Sequence, residues 1–203
     1  IANATEDVRA FARATGIPGV CTLQGLGVLP PEWPSSLGMI GMHGLRAANE
    51  AVQQTDLLIV LGARFDDRAT GQLAKFAPHA RVIHIDIDAA EISKLRDAQI
   101  AITSDLRSAL RALSPRPPKI DAWREQCIEA ATDHAFRYDA PGDDIYAPAL
   151  LKELSERAGD GFIATCDVGQ HQISNQRPLL GILCPQVDGR GNPYFRVGAF
   201  YGF

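Results

Sequence analysis

Asp56-Leu57-Leu58-Ile59-Val60-Leu61-Gly62 sets five consecutive aliphatic residues between an aspartate and a glycine. A run this short and apolar, with no alternation, reads as a strand buried on both faces of a parallel sheet. Arg81-Val82-Ile83-His84-Ile85-Asp86 is a second such strand, with a third at Gln99 to Ile102 and a fourth upstream at Ile17 to Leu23. Helical periods separate them. Ala4 to Ala14 sets Val8, Phe11 and Ala12 on one face before Gly16 and Pro18 end the helix, and Leu45 to Gln54, Glu91 to Arg96 and Asp105 to Leu113 read as further helices. Strands alternating with helices predict an α/β fold: a doubly wound parallel sheet with helices on both faces. The chain opens on a helix, so a strand ahead of it is expected to belong to the same sheet.

Beyond this layer, Ser114-Pro115-Arg116-Pro117-Pro118 removes backbone donors and fixes φ three times in four residues, which predicts a linker and a domain boundary. An amphipathic helix is expected at Ala122 to His134 and another at Ala147 to Arg157, with a strand at Phe162 to Cys166 beginning a second α/β domain. The organisation read from this is a first domain over 1–113, a linker over 114–144, the start of a second domain over 145–172 and a divergent tail over 173–203. The tail has no Lys and no Glu, three prolines (Pro178, Pro185, Pro193), and the aromatic cluster Tyr194, Phe195, Phe200, Tyr201 and Phe203. Within it Leu179 to Cys184 has the apolar density of a strand, and the rest is expected to be extended and weakly ordered.

Composition removes several function classes. The chain of 203 residues is 46% hydrophobic and 22% charged with a net charge of -4, which suits a globular protein and gives no basic stripe for nucleic acid. No apolar run approaches the roughly 18 to 20 residues that span a bilayer, so no membrane partner is expected and a soluble, intracellular setting is. Cys21, Cys127, Cys166 and Cys184 are far apart, with no metal-ligand spacing. Cys21 and Cys166 lie inside apolar runs, where a free thiol behaves as a small hydrophobe.

Three segments carry candidate chemistry. Leu37-Gly38-Met39-Ile40-Gly41-Met42-His43-Gly44 leads into a helix, so its N–H groups either approach an anionic ligand such as a pyrophosphate or serve a plain glycine-rich connection. Gly62-Ala63-Arg64-Phe65-Asp66-Asp67-Arg68 follows a strand at the sheet's carboxyl edge, where open α/β sheets bind ligands. Its two arginines and two aspartates either hold a diphosphate or form a solvated loop. His84-Ile85-Asp86-Ile87-Asp88 ends the next strand, where a carboxylate accepts from ribose or adenine, while Asp88 is also placed to cap a helix from Ala89.

These segments, with Thr22-Leu23-Gln24-Gly25-Leu26-Gly27 and the run from Ala48 to Gly71, resemble motif by motif the large, catalytic subunit of acetolactate synthase, a thiamine-diphosphate enzyme. Tyr138 to Asp143 and Asp167 to Gln172 resemble the same family further along, so the resemblance covers about residues 1–172. It implies that 1–113 is a Rossmann-like central FAD-binding domain and that 145–172 begins the thiamine-diphosphate domain. The FAD contacts it implies are Thr22, Leu23, Met39, Gly41, Met42, His43, Gly62, Ala63, Arg64, Asp67, Arg68, Asp86, Ile87, Asp105 and Leu106. The family pattern has methionine where Gln24 stands. Asp67 and Arg68 also match the family's substrate channel, and Gln170 and His171 match residues near the thiamine diphosphate.

The implied reaction condenses two 2-oxoacids, pyruvate with pyruvate or with 2-oxobutyrate, with loss of CO2, in branched-chain amino acid synthesis. FAD takes no net redox part, and Mg2+ serves the diphosphate. Implied partners are further copies of the full-length protein and a small regulatory subunit. The implied location is the cytoplasm, or the plastid in a plant. The family's catalytic glutamate and magnesium-binding segment have no match in these residues, so the chain alone is expected to be inactive. Two rival readings are a related thiamine-diphosphate carboligase or decarboxylase and a non-catalytic nucleotide-binding remnant.

Overall fold

The computed structural model describes residues 2–135, 137–139, 146–158, 186–187 and 193–194. Strands β1 (Gly19–Cys21), β2 (Ser36–Met39), β3 (Leu57–Leu61), β4 (Arg81–Asp86) and β5 (Ile100–Thr103) are joined through helices α1 (Thr5–Thr15), α2 (Arg46–Gln54), α3 (Asp67–Thr70) and α4 (Leu106–Ala112). All pairings in this layer are parallel: β3–β4–β5 form one sheet in that order, and β1–β2 form a second. The parallel α/β arrangement expected from the apolar runs is therefore present. Leu57 opposite Arg81 and Leu61 opposite Ile85 fix the register, so the glycine after β3 lies beside the end of β4.

The helices stop where the sequence signals fall. Gly16 adopts φ 65° and donates its N–H to the Ala12 carbonyl, which closes α1. Asp105 caps α4 by accepting from the Ser108 N–H. Asp7 on α1 pairs with Arg111 (2.7 Å) and Arg107 (3.6 Å) on α4, which fastens the two helices together. On β4, Val82 joins α2's Val52, Val60, Phe65, Phe76 and Ala77 in the largest core cluster. Ile85, on the opposite face, is buried outside that cluster, and α4 contacts the same strand.

Three expectations need correction. Leu37–Met39 was read as glycine loop but is strand β2, with Leu37 and Met39 alternating inward. The run Asp56–Gly62 was expected to be buried on both faces. Among the described residues β3 pairs with β4 alone, and its faces are unevenly covered: Val60 is buried, Leu58, Ile59 and Leu61 are half-buried and Leu57 is exposed. Glu91 to Arg96 is not a helix but a series of turns, for two reasons. Ser93 has φ 59°, and the Arg96 guanidinium is drawn to the carbonyls of Phe76, Ala77 and Ala80 at 2.5, 2.6 and 3.0 Å. In the tail, strands lie at β6 (Gln186–Val187) and β7 (Pro193–Tyr194), paired antiparallel, whereas Leu179 to Cys184 lies outside the described residues.

The 114–144 stretch contains helix α5 (Asp121–Asp133), which turns back onto the first domain. Trp123, Cys127 and Ala131, spaced four apart, pack on Leu37 of β2 and Ala48 of α2. A further helix, α6, spans Ala147–Ala158, and the strand expected at Phe162 to Cys166 lies outside the described residues.

Candidate nucleotide site at the carboxyl ends of the strands

Because the strands within each sheet are parallel, the loops after β3 and β4 leave their sheet together at the carboxyl ends, and the loop after β2 meets the loop after β3 at the Met42–Arg68 hydrogen bond. The first loop, Ile40 to Leu45, closes on itself: Gly44 N–H donates to the Gly41 carbonyl (2.9 Å) and Leu45 N–H to the Met39 carbonyl (2.8 Å). It delivers the chain into α2, whose N-cap Leu45 supplies no side-chain acceptor. The first-turn N–H groups of α2 therefore keep the donor capacity and positive end that suit an anion.

The second loop lies directly against the first. Met42 N–H donates to the Arg68 carbonyl (3.1 Å), and Gly41 has φ 98° with the Arg68 carbonyl only 2.2 Å from where a Cβ would stand. This contact requires glycine at position 41. Gly62 turns the chain out of β3 at φ 64°, with open space where its side chain would be.

Phe65 then anchors the loop from below. Its ring is buried edge-on to Phe76 (centroids 6.1 Å apart) and to His84 (5.4 Å), and its backbone takes φ 56°, a conformation costly for a non-glycine residue. Pulling Phe65 inward turns Arg64, Asp67 and Arg68 outward, and all three are exposed. Asp66 is a cap: its carboxylate accepts from the N–H groups of Arg68 and Ala69, each at 3.2 Å. Among the described residues neither Arg64 nor Arg68 has an ion pair or side-chain hydrogen bond. Two guanidinium groups without carboxylate partners at a strand-end loop suit a phosphate-bearing ligand.

The third segment adds an acceptor and an apolar surface. Asp86 is buried and accepts from the Asp88 N–H through Oδ1 (2.9 Å), and Asp88 accepts from the Ala90 N–H, capping a turn where a helix was expected. His84 is completely buried, has no hydrogen-bond partner at either ring nitrogen, and holds Nε2 4.0 Å from Asp86 Oδ2. Leaving such a group unpaired costs roughly 1 to 3 kcal/mol, so His84 favours any arrangement that brings Asp86 or a ligand atom within reach. Ile87 is 73% exposed and Met42 62% exposed, apolar side chains at the rim that an aromatic ligand ring would cover. A cleft of about 390 Å³ lies between α2 and the 67–71 turn, lined by Gly41, Met42, Asn49, Gln53, Arg68 and Phe76 among others.

The sequence-derived candidates thus divide. Gly41, Met42 and Arg68 are in contact, Asp67 lines the same cleft, and Gly62, Ala63 and Arg64 lead into that loop. His43, beside them, carries a buried Nδ1 without a partner, and Asp86 and Ile87 end the neighbouring strand. Thr22 and Leu23 begin a 3-10 turn after β1, with Leu23 packed on Leu26 and Met39. Met39 is buried in that cluster, so its side chain serves the core. The Asp105 carboxylate is engaged by the Ser108 N–H and hydroxyl (3.0 and 3.1 Å); the backbone bond from Ser108 is the main cause holding its carboxyl below the ordinary range, and Leu106 starts the helix it caps. Gln170 and His171 lie outside the described residues.

Residues 1–113 match the model of the thiamine pyrophosphate enzyme central domain, more than half of the chain. The chain belongs to the thiamine pyrophosphate enzymes. It is 53% identical over 173 residues to the acetolactate synthase isozyme 2 large subunit of Escherichia coli K12, an alignment covering 85% of this chain and 31% of that protein. It is 41% identical over 180 residues to the acetolactate synthase large subunit of Corynebacterium glutamicum (85% of this chain, 29% of that one). With the chloroplastic acetolactate synthase 1 of Nicotiana tabacum the identity is 40% over 179 residues (84% and 27%). The resemblance read from the strand-end motifs is borne out, and the chain spans about a third of the length of these relatives. No helix among the described residues is long and apolar enough to cross a membrane.

Three contributors were missed in the sequence. Asn49 and Gln53 line the cleft from α2, where the helical period marked them as ordinary polar-face residues. Phe65 was read only as part of a charged motif. An aromatic residue between charged neighbours, immediately after a strand, was the signal for an anchor.

Proposed function

We propose that this chain is part of an acetolactate synthase catalytic subunit and that its strand-end rim holds FAD. The observation that carries the reading is the joining of the Gly41–Gly44 loop to the Arg64–Arg68 loop through Met42 N–H and the Arg68 carbonyl, with neither arginine side chain paired among the described residues. Arg64 and Arg68 would face the diphosphate together with the uncapped start of α2, and Asp86 would accept from the ribose. Met42 and Ile87 would cover the ring systems. Similarity to enzymes named acetolactate synthase, at 40 to 53% identity, supports the reaction class.

In this reading the parent protein joins pyruvate to pyruvate or 2-oxobutyrate with loss of CO2. Thiamine diphosphate, when bound with Mg2+, supplies the carbanion chemistry, and FAD supplies structure without net electron transfer. Gln170 and His171 would approach the diphosphate of thiamine. Residues 1–113 form the central domain and 145–172 begin the next, and copies of the parent protein assemble together with a small regulatory subunit. The setting is the cytoplasm, or a plastid in a plant.

The test is FAD titration of the chain by flavin fluorescence, with Arg64→Ala beside it. A charge-assisted contact to phosphate is worth roughly 1.5 to 3 kcal/mol, so the variant is expected to bind more than about tenfold more weakly. Equal affinity would remove Arg64 from the diphosphate.

A further inference from the structure

Asn49 sits one turn into α2, where asparagine is a poor helix former because its side chain competes for backbone groups. Here that competition is directed at one neighbour. Its Oδ1 accepts from the Gly41 N–H (2.9 Å), while its Nδ2 donates to the Gly41 carbonyl (3.1 Å) and to the Leu45 carbonyl (3.2 Å). A carboxamide that pairs with both the N–H and the C=O of a single residue mimics a neighbouring strand and fixes that residue in position and orientation. The residue it fixes is the one whose backbone lies against Arg68 and Ala69.

We propose that Asn49 is a positioning residue of the nucleotide site, clamping Gly41 so that the 41–44 loop and the 64–70 loop face each other as one rim. The clamp acts through a short chain of contacts: Asn49 holds Gly41, the next residue Met42 donates to the Arg68 carbonyl, and the Arg68 guanidinium stands exposed on that loop. No other described side chain hydrogen-bonds to Gly41. With the clamp removed, the N–H of a half-buried glycine loses its partner and its carbonyl keeps only the Gly44 N–H, and the loop relaxes away from the geometry that presents its donors to an anion. Asn49 itself needs no bond to the ligand, although it lines the cleft.

This inference rests on the FAD reading for its ligand, so the test has one arm that does not use the ligand. Asn49→Leu removes all three bonds while keeping the number and branching of the side-chain heavy atoms, and Asn49→Asp keeps the acceptor toward the Gly41 N–H while losing both donors. In the ligand-free chain, amide exchange at Gly41 and Met42 is expected to speed up by at least about tenfold in Asn49→Leu, with a smaller rise in Asn49→Asp and no change in β4. In FAD titration Asn49→Leu is expected to weaken binding about tenfold or more, while Glu129→Ala, at an exposed position of α5, leaves it unchanged. Unchanged exchange at Gly41 and Met42 overturns the clamp. Faster exchange with unchanged FAD affinity overturns its positioning role. If the unaltered chain binds no FAD, the FAD reading and the positioning role with it fall, while the exchange arm still decides the clamp. Should Asn49→Leu not fold, Asn49→Asp decides by the same two readouts.

Discussion

Gly41→Ala and Gly62→Ala form a pair in which the structure separates two costs that usually arrive together. Both glycines have positive φ, 98° and 64°, so alanine at either pays a strain of roughly 1 to 2 kcal/mol. At Gly62 nothing lies within 4 Å of the added carbon, so that strain is the whole effect. At Gly41 the added carbon would stand 2.2 Å from the Arg68 carbonyl oxygen and 2.9 Å from the Ala69 Cα. Ordinary contact requires the two loops to part by about 1 Å, which breaks the hydrogen bond from Met42 N–H to the same carbonyl and loses a further 0.5 to 1.5 kcal/mol or so. The sum is roughly 1.5 to 3.5 kcal/mol, or about 10- to 400-fold if it falls entirely on binding. Flavin fluorescence titration of both variants, with thermal melts alongside, measures the difference. Gly41→Ala is expected to weaken FAD binding about two- to tenfold more than Gly62→Ala, the part carried by the broken hydrogen bond. Equal losses in the two variants would refute the argument that the loops are held together at Gly41.

Asp66→Ala removes the acceptor for the Arg68 and Ala69 N–H groups, and loss of a cap of this kind is expected to cost about 1 kcal/mol, seen as a lower melting temperature. Burial pushes the thiols of Cys21 and Cys127 up to about 11, so both should resist iodoacetamide at pH 8 in the folded chain, as read by mass spectrometry of the modified sites. The sign of the linked pH effect follows: between the unfolded thiol pKa, about 8.5, and 11 the unfolded chain loses protons that the native chain keeps, so stability falls as pH rises through that window. Rapid alkylation at either site, or a flat stability profile there, would contradict this burial. Supplied with pyruvate, thiamine diphosphate, Mg2+ and FAD, the 203-residue chain alone is expected to form no acetolactate in a colorimetric assay, and turnover would refute that.

Much of the fold was legible because its strands are dense aliphatic runs. Leu57–Leu61 and Arg81–Asp86 stand out without any knowledge of their neighbours, and their parallel pairing is what the alternation of apolar runs with helical periods along the first 113 residues predicts. β2 was not legible: Gly38 interrupts Ser36–Met39, and three further signals of a loop surround it, so its alternation of Leu37 and Met39 was hidden. The Glu91–Arg96 helix was misread because its competing partners, the carbonyls of Phe76, Ala77 and Ala80, lie 16 to 20 residues away. The site divides the same way. Its glycines and arginines declare themselves by type and position after a strand. Phe65, Asp66 and Asn49 take their roles from contacts that only the folded chain creates.

The central claim is that the segments 41–44, 62–68 and 86–88 form one FAD-binding rim, and amide hydrogen exchange of the chain with and without FAD tests it most directly. Exchange is expected to slow on FAD addition in all three segments, with no change along α5 or around the turns at 91–97. Absence of protection in these segments, or protection confined to a surface away from the carboxyl ends of β2, β3 and β4, would contradict it.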